Sequence, residues 1–173
     1  MADLWDEIAD GAAEESGLWA DCLSAEPDRT AVFSPLGAPD HALGLETIYE
    51  GYLVHYGKSR LFDPHDEDTA LLLGDYLYAH GLVRIAAARK VDAVADLSEL
   101  ISLCSQLRAE ERSGDGPLWA ATAALLGRRA LDEPFAALRL HSDPAPLDAA
   151  ARTAAGDEAV DVALAAHAER RVR

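Results

Sequence analysis

Residues that favour helices dominate this chain. Alanine and leucine supply 60 of its 173 residues, whereas the β-branched residues valine, isoleucine and threonine supply only 17. Alanine and leucine are strong helix formers, and β-branched residues are the ones that sheets favour. No alternation of polar and apolar residues is sustained, and no Asn-Gly hairpin turn occurs. The chain is therefore predicted to be all-α, a helical bundle of about six to seven helices.

Clusters of proline, glycine and aspartate divide the chain into segments. Asp63-Pro64 and the stretches 113–117 and 143–146 are typical of helix ends and turns. We predict helices at about 2–25, 40–57, 66–90, 92–112, 117–130, 132–140 and 146–171. A length of 173 residues predicts a single domain, 1–173. Its parts are an acidic N-terminal segment (1–38), a central region (about 40–130) and a C-terminal helix (146–171).

The charge of the chain excludes several classes of partner. The formal net charge is −16, and the first 50 residues hold twelve acids against one base. Binding to nucleic acid or to anionic lipid needs a clustered basic face, so neither is expected. Apolar runs are shorter than the roughly 20 residues of a membrane span, and the N-terminus is acidic where a signal peptide is basic. We expect no membrane insertion and a cytoplasmic location. The acidic first segment fits either solvation in a salt-rich cytoplasm or docking on a basic partner.

Two groups of acidic residues are candidate cation ligands. Glu46 and Glu50 lie four residues apart on a predicted helix, so both carboxylates project from one face. A bound divalent cation would relieve their repulsion, and a solvated acidic face would do the same. The acids of the stretch 63–68 could bind magnesium or calcium, or could cap the helix that follows. No nucleophile or phosphate-loop motif occurs, so no catalytic residue is assigned.

Two further patterns concern the predicted interior. Tyr49, Tyr52 and Tyr56 form a stripe at helical spacing, which is typical of a core or of a pocket wall. The stretch 71–80 is rich in leucine and predicts a buried helix whose Gly74 lets a neighbouring helix approach closely. Asp75 would then be an acid in apolar surroundings, which is costly unless it finds a partner or a water-filled cavity.

This last stretch resembles the trans-isoprenyl diphosphate synthases, the polyprenyl synthetase family. Their Leu-Leu-x-Gly-Asp-x-Leu-Leu-x-x-Ala stretch is echoed by Leu72-Leu73-Gly74-Asp75-Tyr76-Leu77-Tyr78-Ala79. When the family pattern is aligned without gaps, backwards from Asp75, the family's Asp-Asp-x-x-Asp motif falls on Glu46-Thr47-Ile48-Tyr49-Glu50. The same register places His55-Tyr56-Gly57-Lys58 on its Arg-Arg-Gly-Lys stretch. The resemblance covers about residues 40–130.

The resemblance implies part of the isoprenoid synthase fold, with helices 40–57 and 66–90 as antiparallel neighbours that line one cavity. It implies Glu46 and Glu50 as metal ligands, with Mg²⁺ as the cofactor if a diphosphate is bound. Lys58, Asp75 and Tyr49 are the candidate ligand-binding residues.

The departures from the family pattern bear on activity. Thr47 replaces one metal ligand of the family motif, and His55 and Tyr56 replace the two arginines that hold diphosphate. No second aspartate-rich motif follows residue 130.

These observations favour a degenerate, truncated family member without catalysis of its own. It would be a small regulatory or stabilising subunit of a prenyl diphosphate synthase. One alternative is magnesium-dependent binding or turnover of a small prenyl diphosphate. Another is a helical protein-interaction module whose family likeness is incidental. The expected partners are a full-length prenyl diphosphate synthase, in a heterodimer, or further copies of this chain in a homo-oligomer.

Overall fold

The computed structural model describes residues 3–87 and 90–171. Within these residues the chain forms nine α-helices and no strand, apart from one isolated antiparallel bridge between Leu23 and Phe62. The all-α prediction is therefore confirmed. The helices are α1 (Leu4–Glu15), α2 (Gly17–Ala20), α3 (Ala42–Tyr56), α4 (Glu67–Ala87), α5 (Val91–Ala109), α6 (Asp115–Leu125), α7 (Asp132–His141), α8 (Ala145–Ala155) and α9 (Asp157–Arg170).

Two predicted helices are each divided in two. The predicted helix 2–25 breaks at Ser16, whose backbone is extended and whose hydroxyl accepts a hydrogen bond from the Leu18 N–H. The predicted helix 146–171 breaks at Gly156, which has φ +89°, a conformation that favours glycine. Short 3₁₀ turns at Ser34–Leu36 and Pro39–His41 precede α3. The predicted helical residues 2, 88 and 89 lie outside the described residues.

Helix α3 lies at the centre of the structure. Every residue from Gly44 to Val54 is buried, which requires packing on all sides of the helix. The larger hydrophobic cluster packs α5, α6, α8 and α9 around α3. A smaller cluster packs α1 and the Leu61-Phe62 segment against the end of α3 and against α4. In the described part of the chain, no helix combines the length and apolar character of a membrane span.

Glycines bring α3 and α4 into close contact. Gly44 and Gly51 on α3 face Gly81 and Gly74 on α4, respectively. A Cβ atom on Gly81 would lie 2.4 Å from Ile48 Cγ1, and one on Gly51 would lie 2.9 Å from the Gly74 carbonyl oxygen. The close approach predicted at Gly74 is confirmed, and the order of these contacts makes the two helices antiparallel.

Asp66 caps the N-terminus of α4. Its carboxylate accepts hydrogen bonds from the backbone N–H and the hydroxyl of Thr69, at 2.7 and 2.9 Å. These bonds hold the pKa of Asp66 below its usual value. The capping interpretation of the acids in 63–68 is thus confirmed for this residue.

Helix α4 is buried on one face only. The buried face carries Leu73, Gly74, Leu77, Tyr78, Gly81 and Ile85. Leu71 and Leu72 are exposed, and Asp75 is exposed as well. The prediction of a buried helix over 71–80 is therefore right for one face and wrong for the other. Asp75 lies at the surface and avoids the desolvation cost of an apolar interior.

Candidate functional site

A buried arginine occupies the space between the two predicted metal ligands. Glu46 and Glu50 are 1% and 0% exposed, and Arg60 is 2% exposed. Arg60 Nη1 donates to Glu46 Oε2 at 2.7 Å, and Arg60 Nε donates to Glu50 Oε2 at 2.9 Å. The guanidinium lies where a metal ion between the two carboxylates would lie. The solvated acidic face considered for this pair is wrong, and the metal-binding role stays a prediction.

Backbone N–H groups hold the remaining carboxylate oxygens. Glu50 Oε1 accepts hydrogen bonds from the N–H groups of Arg60 and Leu61, each at 2.8 Å. Glu46 Oε1 accepts one from the Ser34 N–H at 3.3 Å. These donors offset the second negative charge, which a single guanidinium cannot neutralise. The network therefore ties α3 to the segments before and after it.

Two aromatic rings lie against the Arg60 guanidinium. Its central carbon is 4.7 Å from the centroid of the Trp5 ring and 5.0 Å from that of Tyr49, which are cation–π distances. Burial acts to lower the pKa of Arg60, but the charges of Glu46 and Glu50 outweigh it and raise that pKa. Arg60 is therefore a permanent cation in the interior.

Tyr49 belongs to a cluster of buried aromatic rings. Its ring centroid is 4.9 Å from that of Trp119 and 5.2 Å from that of Phe33, both in edge-on geometry. The parallel ring of Tyr52 lies 6.0 Å away. Tyr49 and Tyr52 are both 0% exposed, so the core interpretation of the tyrosine stripe is confirmed at these two positions. These rings fill the space between α3, α6 and α9.

A chain of buried polar groups links the same three helices. The Tyr49 hydroxyl and His167 Nδ1 are 2.9 Å apart, and His167 Nε2 is 3.3 Å from Asp115 Oδ2. The Tyr52 hydroxyl donates to the same carboxylate. Arg171 Nη1 lies 3.0 Å from Asp115 Oδ1. An arrangement in which Nδ1 accepts from Tyr49 and Nε2 donates to Asp115 satisfies both ring nitrogens.

The surroundings of these buried polar groups fix the protonation states of Asp115 and of the two tyrosines. Burial acts to raise the pKa of Asp115, but hydrogen bonds from His167 and Tyr52, together with the charge of Arg171, lower it to about 2. Burial raises the pKa of Tyr49 and of Tyr52 far above the usual tyrosine value. Asp115 is therefore ionised and both hydroxyls keep their protons at neutral pH. Asp115 is also the first residue of α6, where the helix dipole favours a negative charge.

Lys58 and Asp75 lie apart from the buried carboxylates. Lys58 is exposed and lines a cleft of about 800 Å³ at the C-terminal end of α3. Asp75 has 67% of its side chain exposed, and its carboxylate is 3.2 Å from His55 Nε2. The acids that line the cleft are Glu26, Asp28, Asp63, Asp66, Glu67 and Glu169.

The structure therefore brings together only some of the predicted site residues. Tyr49 lies beside the Arg60 network, whereas Lys58 and Asp75 are at the surface. Over residues 3–87 and 90–171, no three His, Cys, Asp or Glu side chains converge as a metal site would require. The ligand-binding roles of Lys58, Asp75 and Tyr49 stay predictions.

Sequence reasoning missed Arg60, Asp115 and His167, the three residues that organise the interior. Asp115 stands in a stretch rich in glycine that was interpreted as a turn, and His167 stands in an alanine-rich helix. The one available signal was at Arg60, which precedes Leu61-Phe62 in a chain with few cations. An arginine that is buried with its apolar neighbours needs a partner of opposite charge.

No family model, curated protein or solved structure matches this chain. Helices α3 and α4 are antiparallel neighbours, as the resemblance implies. Glycine contacts close the middle of the α3–α4 interface, and buried rings cover the Tyr49 side of α3. The cleft of about 800 Å³ is lined by both helices, by Leu53 and Val54 at the end of α3 and by Glu67 and Ala70 at the start of α4, and it does not include Glu46, Glu50 or Asp75.

The Arg60 network can be tested with Arg60→Met, which keeps a long side chain but removes the cation. Glu46 and Glu50 would then be buried without their counter-ion. We expect the free energy of unfolding at pH 7 to fall by about 3–5 kcal/mol, measured by urea unfolding followed by circular dichroism. Glu46→Gln is the matched control, because it leaves Arg60 paired with Glu50, and it should cost less. If Arg60→Met lowers the free energy of unfolding no more than Glu46→Gln does, Arg60 is not the counter-ion that stabilises the two buried glutamates.

The Asp115 network predicts a pH-dependent contribution to stability. The pKa of Asp115 is about 2 in the folded chain and about 3.9 in an unfolded one. Its stabilising contribution is therefore complete above the unfolded value and is lost as the pH falls through the folded one. Asp115→Asn should be about 2 kcal/mol less stable at pH 7, and the difference should shrink to about half by pH 3.

The control for this measurement is Asp132→Asn. Asp132 also begins a helix, but it is exposed, so a small change with little pH dependence is expected. Urea unfolding of the three proteins at several pH values provides the comparison. A stability difference for Asp115→Asn that stays constant from pH 7 to pH 3 would show that the ionised carboxylate contributes nothing.

Proposed function

We propose that this protein is a non-catalytic helical subunit that stabilises or regulates a prenyl diphosphate synthase. The observation that carries this proposal is the Arg60 network. Glu46 and Glu50 stand at the positions that resemble the family's metal-binding motif, and both bind the Arg60 guanidinium. Carboxylates held in this way are not free to bridge a magnesium ion to a diphosphate.

The positions that resemble the diphosphate-binding arginines support the same proposal. Burial lowers the pKa of His55, against the influence of Asp75, so its imidazole is neutral at pH 7. Tyr56 packs its ring against His55 and Tyr52, at centroid distances of 5.4 Å each. Neither position supplies a positive charge, and a net charge of −16 repels an anionic substrate.

The filled interior is a third support. A prenyl chain needs an apolar cavity beside the site where its diphosphate ionises. Here Tyr49, Tyr52 and Trp119 pack against one another at centroid distances of 4.9 to 6.0 Å. The hydroxyls of the two tyrosines are also engaged, with His167 and Asp115. Opening a cavity there would break both the ring packing and the hydrogen bonds.

The acidic cleft favours a second candidate function, magnesium-dependent binding of a small prenyl diphosphate. Lys58 lines this cleft together with Asp63 and Asp66. A lysine ammonium can contact a diphosphate directly, and carboxylates can hold the magnesium ion that accompanies it. In this candidate the ligand would bind at the end of α3 rather than inside the bundle.

Calorimetric titration of farnesyl diphosphate in millimolar magnesium distinguishes the two candidates. The subunit proposal predicts no saturable heat and no change in melting temperature. Saturable heat that is abolished in Lys58→Ala would contradict the proposal and favour binding in the cleft. Lys58 is exposed, so the variant should keep its fold, which circular dichroism checks.

Co-expression with the full-length prenyl diphosphate synthase of the same organism tests the partner. We expect the two chains to co-purify through two tags and the synthase to be more stable, or altered in product length, in the complex. If this chain purifies without the synthase and leaves its activity unchanged, the subunit function fails. An interaction module with other partners would then be the better interpretation.

A further inference from the structure

A pocket of about 460 Å³ lies at the start of α5. Residues 90–93 form one side of it, and the other lining residues are His41, Leu126, Gly127 and Arg129. We call this cavity the α5 pocket. It shares no lining residue with the acidic cleft at the end of α3, so its chemistry has to be considered separately.

The start of α5 offers backbone donors to this pocket. The first intrahelical hydrogen bond runs from the Val94 N–H to the Lys90 carbonyl oxygen, at 3.1 Å. The N–H groups of residues 91–93 therefore have no acceptor within their own helix, and the Lys90 side chain at the cap position provides none. Gly127 leaves room beside them, since a Cβ atom there would lie 3.5 Å from the Ala93 nitrogen. The helix dipole also favours an anion at this end.

His41 provides a second, independent donor. The residue is 8% exposed and lines the pocket, and its Nε2 is 2.9 Å from Lys90 Nζ. An ammonium can only donate, and burial and the Lys90 charge lower the pKa of His41, so the neutral ring accepts at Nε2 and carries its proton on Nδ1. This Nδ1–H is buried and has no partner among the described residues. A buried donor without an acceptor is rare and costly in a folded protein, so it points to a ligand with an acceptor atom.

The charges around the α5 pocket balance one another, unlike those of the chain as a whole. Lys90 pairs with Asp40, and Arg129 Nε donates to Asp92 at 2.9 Å. Arg129 has 78% of its side chain exposed, and this pairing leaves its two Nη groups for a ligand. Together with the backbone donors, these groups can hold one negative charge, whereas a dianion would meet repulsion from both aspartates.

We propose that the α5 pocket binds the carboxylate group of a small monocarboxylic acid. The paired Nη groups of Arg129 match the two oxygens of a carboxylate. The His41 Nδ1–H and the N–H groups at the start of α5 supply further donors, because each carboxylate oxygen accepts more than one hydrogen bond. Ala93 and Leu126 are buried residues that line the same pocket, so a short aliphatic tail would contact apolar side chains.

Titration of the full chain with sodium butyrate, followed by nuclear magnetic resonance at pH 7 and about 0.15 M ionic strength, tests the proposal. We expect saturable shifts of the Asp92 and Ala93 backbone N–H signals and of the His41 Nδ1–H, with a Kd of about 5 mM. Acetate should bind about fivefold more weakly, because its tail is two methylene groups shorter. The absence of saturable shifts up to about 50 mM butyrate, tenfold above the expected Kd, would overturn the proposal. Equal shifts with sodium chloride at the same ionic strength would overturn it as well.

Two adjacent arginines provide a matched comparison. Arg129→Ala removes the Nη groups and should weaken butyrate binding about tenfold. Arg128→Ala removes the same charge from an exposed side chain that does not line the pocket, and it should bind butyrate like the natural chain. Equal affinities of the two variants would overturn the proposal. His41→Phe keeps a ring but no donor, so a folded variant, checked by circular dichroism, that binds butyrate as tightly as the natural chain would also overturn it.

The carboxylate proposal does not depend on the proposed function, and the two can fail separately. Butyrate binding that is weakened in Arg129→Ala and unchanged in Lys58→Ala supports the α5 pocket, whether or not the chain co-purifies with a prenyl diphosphate synthase. Butyrate binding that is lost in Lys58→Ala and unchanged in Arg129→Ala would place the ligand in the acidic cleft and would overturn the carboxylate proposal. Co-purification with the synthase tests the subunit function alone.

Discussion

The ion network of Arg60 with Glu46 and Glu50 is the interaction on which the structure depends. A helix that is buried on all sides can carry two glutamates only if their charges are matched inside the protein. Arg60 supplies that match from the segment after α3, and the N–H groups of Ser34 and Leu61 complete it. The network thus fixes the course of the chain on both sides of α3. The ring of Trp5 in α1 also packs against the Arg60 guanidinium.

Tyr49 connects this network with a second one. Its ring lies against Arg60, and its hydroxyl pairs with His167, which is paired in turn with Asp115. Helices α6 and α9 are thereby joined to α3 through buried polar contacts as well as apolar packing. The charged and polar side chains of these two networks hold helices together.

The sequence predicts the local features of this fold and misses those set by distant contacts. Helix content and the Asp66 cap depend on residues near one another in the chain, and both are confirmed. The close approach at Gly74 is confirmed as well, although the sequence did not show that Gly51 and His55 are the neighbours it meets. Arg60 bonds residues ten and fourteen positions earlier, a separation that no helical period predicts. The exposed face of α4 was missed for a related reason. A leucine-rich string shows that a helix is apolar, but only the arrangement of its neighbours determines which face is covered.

The central claim is that Arg60 holds the two α3 carboxylates permanently, and nuclear magnetic resonance tests it most directly through the Arg60 Nε–H signal. This proton is buried and donates to Glu50, so its signal should be resolved and should exchange slowly with solvent. We predict that millimolar magnesium, with or without farnesyl diphosphate, leaves its position and its exchange rate unchanged. A signal that shifts on magnesium addition, or that exchanges as fast as a surface arginine, would show that the carboxylates are available to a metal ion and would contradict the account.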